Sequence, residues 1–289
     1  MACEPLTLQC TVDPAGGLPE FTNFADLDAL LASEHVPEAL AICTPPQVRY
    51  RLAHRALAHG RHVLLEKPPA ASCGEVETLK SLAARTRRTL FCAWHSQFAP
   101  AVLPAAKWLR SRRIDRVRID WREDVRVFHP GQAWIWAPGG FGCFDPGINA
   151  LSVAVKILPL PIFVTDALLR YPEDCQTPIA AELRLSDEKQ TEIEASFDFL
   201  QEGPPTWSIT VDTDAGCMLM SDGGKRLCID DGEIRLPDAA EYPLLYQRFA
   251  QLISNGDSEA DTTPLRLVAD AFMLGRRVDA PRFQDPAQE

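Results

Sequence analysis

The sequence predicts an α/β domain built on a parallel sheet, followed by an α+β domain with a large open, mostly antiparallel sheet. Three observations carry this. The first hundred residues alternate short apolar runs with helix-period segments, the pattern of βαβ units. After about Phe98 the apolar period drops to two over several successive runs, as in an antiparallel sheet with one buried face. No internal repeat or low-complexity linker interrupts the chain, so the change of rhythm sets the division: residues 1–98, then residues 99–289.

In order, Leu6–Val12 is a β-prone run ending at Asp13-Pro14, and Phe24–Ser33 has the apolar spacing of a helix at Leu27, Leu30 and Leu31. Glu38–Cys43 is an apolar run stopped by Thr44-Pro45-Pro46. Gln47–His59 reads as a helix with Val48, Leu52, Ala56 and Leu57 on its apolar face, closed by Gly60. His62–Leu65 is strand-like and stops at Glu66-Lys67-Pro68-Pro69. Ser72 opens a helix with Glu75 three residues on, a capping-box spacing, and Thr89–Ala93 is a further strand. In the second part a helix over Ala99–Arg112 precedes the alternating run Arg116–Trp121. The runs Phe163–Leu169, Ala180–Leu185, Thr191–Phe199, Trp207–Asp212, Cys217–Met220 and Arg226–Ile229 follow, and helices over Tyr242–Ile253 and Pro264–Arg277 close the chain.

Composition bounds the function. The 289 residues are 46% hydrophobic, which excludes a disordered chain. Twenty-nine Lys and Arg against 40 Asp and Glu leave a net charge of −11, which disfavours nucleic-acid binding because that rests on clustered cations. No apolar run approaches the ~18 residues that a membrane helix needs, and the first residues lack the basic-then-apolar pattern of a secretory signal. The nine cysteines are scattered without a Cys-x-x-Cys pair, so they read as reduced thiols, neither a disulfide framework nor a metal site. These features point to an acidic, soluble, cytoplasmic enzyme or small-molecule binder.

Two segments carry chemistry. In His62-Val63-Leu64-Leu65-Glu66-Lys67-Pro68 a lysine stands just past the carboxyl end of a predicted parallel strand, where ligands bind in doubly wound sheets, although a lysine there also suits a surface loop. In Gly139-Gly140-Phe141-Gly142-Cys143-Phe144-Asp145-Pro146-Gly147-Ile148-Asn149 the glycines permit close backbone approach to a ligand. Asp145 and Asn149 fall four apart on one helix face, a spacing that also serves helix capping.

Together these segments resemble the Gfo/Idh/MocA family of nicotinamide-dependent oxidoreductases over nearly the whole chain. Ala41-Ile42-Cys43-Thr44-Pro45-Pro46 looks like a family cofactor turn, and Glu66-Lys67-Pro68 like its Glu-Lys-Pro motif. Asp145-x-Gly147-x-Asn149 resembles its Asp-x-Gly-x-His motif with Asn in the last place. The blocks from Cys43, Trp94-His95-Ser96, Trp121-Arg122-Glu123, His129-Pro130-Gly131 and Phe144-Asp145-Pro146, with the tail from Pro264, are similar to a narrower group acting on L-arabinose and D-galactose at C1.

That resemblance implies a Rossmann-type first domain and oxidation of an aldopyranose at C1 to the aldonolactone, with NAD or NADP as cofactor. It implies Asp145 as base, Asn149 as a partner on the same hydroxyl, and Lys67 as a cation donating to the sugar. An Asn cannot titrate near neutrality, so proton transfer falls to Asp145. His95, Glu123, His129 and Trp207 are implied sugar contacts, while Thr44, Pro45, Glu66 and Lys67 are implied cofactor contacts. The two histidines also suit structural roles, and Trp207 also suits sheet packing. Asp13, where the predicted second strand ends, is placed to hold ribose hydroxyls and repel a 2′-phosphate, which favours NAD over NADP; a turn-forming Asp-Pro is the other reading.

The chain departs from the family at its start. The family's first strand and its Gly-x-Gly-x-x-Gly turn have no counterpart, so the first domain is expected to be an incomplete Rossmann-type sheet with a gap between parallel strands. A reading frame beginning further upstream is the expected cause. The functional alternatives are a non-catalytic sugar or dinucleotide sensor and an inactive short product; joint retention of Lys67, Asp145, Glu123 and His95 favours catalysis. A homodimer through the C-terminal sheet is expected by analogy, with no nucleic-acid or membrane partner and no metal.

Overall fold

The computed structural model describes residues 2–3, 6–238 and 240–283, which fall into two compact units. The first comprises residues 1–93 and 242–261, the second residues 94–241 and 262–289.

In the first unit, Ala39–Ile42, His62–Glu66 and Leu90–Ala93 form a three-stranded parallel sheet in sequence order. Val63, Leu64, Leu65, Leu90 and Phe91 are buried, the near-continuous apolar pattern of strands covered on both faces. Helix Pro46–Ala58 leaves the first strand and helix Cys73–Thr86 leaves the second, which makes two βαβ crossovers. The capping box at the second helix is shifted by one residue. Ser72 Oγ accepts from Glu75 N at 3.3 Å, but Glu75 Oε2 reaches past the cap to Ala71 N at 3.0 Å. Glu259 adds to the sheet edge, its carbonyl accepting from Cys92 N and its N–H donating to the Leu90 carbonyl.

The predicted strand over Leu6–Val12 is divided. Leu6–Thr7 pairs antiparallel with Ala2–Cys3, whereas Cys10–Val12 pairs in parallel with Thr22–Phe24. Among the described residues no ladder joins that parallel pair to the three-stranded sheet. The helix expected over Phe24–Ser33 shrinks to Leu27–Leu31, because Asp26 caps it by accepting from Ala29 N and Thr22–Phe24 is drawn into pairing.

The second unit is a nine-stranded sheet. Its order is Gly232–Glu233, Arg226–Ile229, Gly216–Ser221, Thr206–Thr213, Ile114–Arg122, Glu192–Asp198, Ala180–Ser186, Phe163–Pro172 and Arg276–Ala280. Most pairs are antiparallel; Ile114–Arg122 with Glu192–Asp198, and Arg276–Ala280 with Phe163–Pro172, are parallel. One face buries Val117, Ile119, Trp121, Ala195, Phe197 and Ile209. Helices Val102–Leu109, Phe144–Ile157 and Thr263–Leu274 pack together in this unit, with Phe144 against both Phe197 and Phe272. On the other face Arg116 pairs with Glu194 at 2.6 Å and Arg122 with Asp120 at 2.9 Å. The last predicted helix stops at Leu274, and Arg276–Ala280 is a strand rather than its continuation.

Candidate active site

The first unit gathers several of its predicted residues at the carboxyl ends of parallel strands. Thr44 and Pro45 follow Ala39–Ile42, and Lys67 follows His62–Glu66. The Glu66 carboxylate is held on both oxygens: Oε2 accepts from Lys67 N at 2.9 Å and Oε1 from Tyr242 Oη at 2.8 Å. Lys67 itself is half-buried and joined to Pro68 by a cis peptide. Asp13 lies directly after Cys10–Val12 and is exposed; its Oδ1 accepts from Ala15 N at 2.7 Å, so the turn-forming role is present.

Arg49 is a residue that sequence reasoning missed. It is 3% exposed, and its guanidinium donates to the carbonyls of Glu66, at 2.6 Å, and of Pro68 and Thr44. One helix side chain thereby fixes the turns after two neighbouring strands. The expected apolar face at Val48 is exposed instead, and the buried stripe runs through Pro46, Arg49, Ala53, Ala56 and Leu57. Arg49 sits four residues before Ala53, a signal readable in the sequence once the stripe is rotated.

These turns fit a polar cofactor. Among the described residues the buried Thr44 hydroxyl has no hydrogen-bond partner, and it lies between a parallel strand and its helix, the position at which doubly wound sheets receive ligands.

In the second unit the polar residues form a linked array. Strand Ile114–Arg122 delivers Glu123, whose N–H donates to the Asp198 carbonyl. Asp124 then caps the short helix Val125–Phe128 by accepting from Arg126 N, and its carboxylate takes the Arg126 guanidinium in a two-point fork. The Arg126 hydrogen bonds hold the Asp124 carboxyl below the usual carboxylate range, against the opposing effect of burial. The turn that this helix makes brings His129 back over Glu123. The His129 Nε2 lies 2.9 Å from Glu123 Oε1, while Glu123 Oε2 accepts from Trp207 Nε1 at 2.8 Å. On its other side His129 Nδ1 stands 3.8 Å from Asp145 Oδ2. Glu123 and Asp145 are both about 3% exposed.

Helix Phe144–Ile157 carries Asp145 in its first turn, with Cys143 at the cap position, so Asp145 is not the capping residue. Asn149 is half-buried on the same helix, its carbonyl accepting from Ser152 Oγ at 2.7 Å. The helix approaches the sheet closely through Gly147, where a Cβ would fall 2.9 Å from the Phe197 ring. The upstream glycines make a different approach from the one expected. Space at Gly140 and Gly142 is taken by the chain's own Ile135 and Pro178 carbonyls, and Gly142 has φ +54°.

His95 Nδ1 lies 2.7 Å from Glu241 Oε2, an acceptor that the sequence did not suggest. The Trp207 ring is stacked on Trp121, directly opposite it across the ladder, and meets Phe128 edge-on, so sheet packing occupies much of it. Among the described residues no three His, Cys, Asp or Glu side chains are grouped to hold a metal, and no helix is long and apolar enough to cross a membrane.

Comparison with known proteins bears on this arrangement. Residues 15–93 match the profile described as the Gfo/Idh/MocA oxidoreductase family with an NAD-binding Rossmann fold. A galactose 1-dehydrogenase from Pseudomonas fluorescens is 44% identical over 92% of this chain and 86% of its own. The crystal structure of a D-galactose-1-dehydrogenase from Rhizobium etli superposes with a TM-score of 0.90 at 45% identity, covering 96% of this chain and 89% of that one. A 3-ketoreductase from Actinomadura kijaniata, solved with NADP, shares the fold alone: TM-score 0.75 and 17% identity over 90% of this chain and 84% of its own. The chain belongs to the Gfo/Idh/MocA family of oxidoreductases.

Proposed function

We propose that the protein oxidises an aldopyranose, D-galactose or L-arabinose, at C1 to the aldonolactone with NAD as the preferred acceptor. The observation that carries the reading is the buried Asp145 carboxylate beside His129, which in turn meets Glu123, a set of acceptors and donors suited to a hydroxyl-rich ligand and to removing one proton. The identity to a galactose 1-dehydrogenase over most of both chains supports the sugar class. Galactose and arabinose share ring stereochemistry and differ by the C5 hydroxymethyl, so one pocket serves both.

In this mechanism Asp145 takes the C1 hydroxyl proton as the C1–O bond gains double-bond character. Asn149 holds the same hydroxyl by its amide, and Lys67 donates to a sugar oxygen. Glu123, His129 and His95 fix other hydroxyls, and Trp207 offers the apolar ring face that its packing leaves accessible. Thr44, Pro45, Glu66, Lys67 and Asp13 are the residues that would hold the dinucleotide, which when bound supplies a hydride acceptor. The same reading includes a cytoplasmic homodimer formed through the open face of the nine-stranded sheet.

The test is direct. The protein is mixed with NAD or NADP and each sugar, and absorbance at the NADH band is followed. Sugar-dependent reduction is expected, and Asp145→Ala should lower kcat by about 100-fold or more with its circular dichroism unchanged. Dinucleotide binding without turnover would instead identify a sensor; neither binding nor turnover would identify an inactive product.

A further inference from the structure

We propose that His129 is a proton relay, taking at Nδ1 the proton that Asp145 removes from the sugar, with Glu123 stabilising the resulting imidazolium. This rests on the dehydrogenase reading above and gives His129 the relay in place of contact with a sugar hydroxyl.

The argument starts at the indole of Trp207. It can only donate, so the Glu123 oxygen that it touches is an acceptor, 2.8 Å away. The second Glu123 oxygen then faces His129 Nε2 at 2.9 Å, and a carboxylate there fixes the ring proton on Nε2. The tautomer is thus set from outside the reacting centre, and Nδ1 is left as a lone pair turned toward Asp145 Oδ2, 3.8 Å off. Between an ionised Asp145 and that lone pair there is no proton to share. When Asp145 takes one from the C1 hydroxyl, a shared proton exists. The O–H electron pair stays on the sugar oxygen and becomes part of the new C=O bond, while the C1–H pair leaves as the hydride that a bound dinucleotide would accept. The proton passes from Oδ2 to Nδ1, which regenerates the Asp145 carboxylate and leaves an imidazolium between two carboxylates. Catalytic hydrogen bonds that are long without substrate often tighten once it binds.

Groups facing the ring are Glu123 from the end of Ile114–Arg122, Asp145 from helix Phe144–Ile157, and the uncharged Phe199 ring at 5.4 Å. On the same turn the Arg126 guanidinium is engaged by Asp124 and Glu202. Among the described residues, none of these contacts places a cation on the ring.

The relay is tested on the intact protein in two ways. In the first, ¹⁵N-labelled histidine spectra report the ring state: His129 should carry its proton on Nε2, and Trp207→Phe should relax that preference. In the second, His129→Gln is assayed with the sugar and dinucleotide that the wild type uses. It should lose about 100-fold in kcat with KM within threefold, and its solvent deuterium isotope effect on kcat should rise. Added imidazole should restore part of the kcat of His129→Gly. A loss confined to KM, no rescue, or a neutral ring protonated on Nδ1 overturns the relay. Should His129→Gln fail to fold, Trp207→Phe decides: about threefold to tenfold lower kcat supports the proposal and an unchanged kcat sinks it. Wild-type inactivity toward every sugar and dinucleotide pairing would sink the dehydrogenase reading instead, a separate result.

Discussion

The Arg49 guanidinium donates to the Glu66 carbonyl at 2.6 Å from the neighbouring helix, and it reaches the Pro68 and Thr44 carbonyls as well. A planar fork with several donors can do this; a point charge cannot. Arg49→Ala leaves three carbonyls, two of them on half-buried residues, without that donor at about 1–1.5 kcal/mol apiece, so a stability loss of roughly 3–5 kcal/mol is expected. Arg49→Lys should recover less than half of it. Urea denaturation followed by far-UV circular dichroism measures both, and a loss below about 1 kcal/mol for the alanine variant would show that the turns hold without the guanidinium.

Gly147 gives a substitution whose sign runs against propensity. Glycine to alanine inside a helix ordinarily gains about 1 kcal/mol. Here the new methyl would meet Phe197 ring carbons at 2.9 Å, with helix and strand both fixed in the core. Gly147→Ala should therefore destabilise by roughly 1–3 kcal/mol through overpacking. Adding Phe197→Leu, which removes the ring edge, should return part of that loss. Strict additivity of the two changes in a double-mutant cycle would contradict the steric account.

The strongly periodic elements were legible from sequence to within a few residues. Helix Pro46–Ala58 was expected over Gln47–His59, and strand Ala180–Ser186 over Ala180–Leu185. Weak local patterns were overridden by pairing. Cys10–Val12 separates from Leu6–Thr7 because Thr22–Phe24 is its ladder partner. Arg276–Ala280 has no alternating apolar pattern and becomes a strand only by docking in parallel on Phe163–Pro172. The site was legible unevenly. Asp145, Glu123 and His129 stood out through the family resemblance, but spacing alone could not bring position 123 against position 207. The role of Arg49 is not legible in the sequence because its worth lies in carbonyls from distant turns, not in its own neighbours along the helix.

Cofactor choice is expected to turn on Asp13. The side chain is exposed directly after strand Cys10–Val12, with Oδ1 engaged by Ala15 N. A carboxylate there favours two ribose hydroxyls and repels a doubly charged phosphate. The kcat/KM for NAD should exceed that for NADP by about tenfold or more, and Asp13→Ser should shrink the ratio mainly by raising the NADP value. Each tenfold step corresponds to about 1.4 kcal/mol of discrimination. A wild-type preference for NADP would leave Asp13 as a turn residue only.

His62 makes the stability of the first unit depend on pH. Its Nδ1 accepts from Thr89 N at 2.9 Å, so the ring serves the sheet in its neutral form, with only 7% of the residue exposed. Burial holds its pKa below the ordinary imidazole value and Arg88 pushes the same way, while Glu38 opposes them. An unfolded chain takes up a proton near pH 6.5, whereas the folded chain resists it to a lower pH. Protons are then bound preferentially by the unfolded state, so the His62 contribution is intact above about pH 6.5 and is lost as pH falls through the folded value. Other groups titrate in the same range, and comparison with a variant isolates this one. His62→Asn keeps an acceptor for Thr89 but cannot titrate. The wild type should be the more stable protein at pH 7.5, and its advantage in urea midpoint should narrow steadily by pH 5. A gap that stays constant across that range would mean that His62 keeps the same proton affinity in both states, which its burial and its bond to Thr89 argue against.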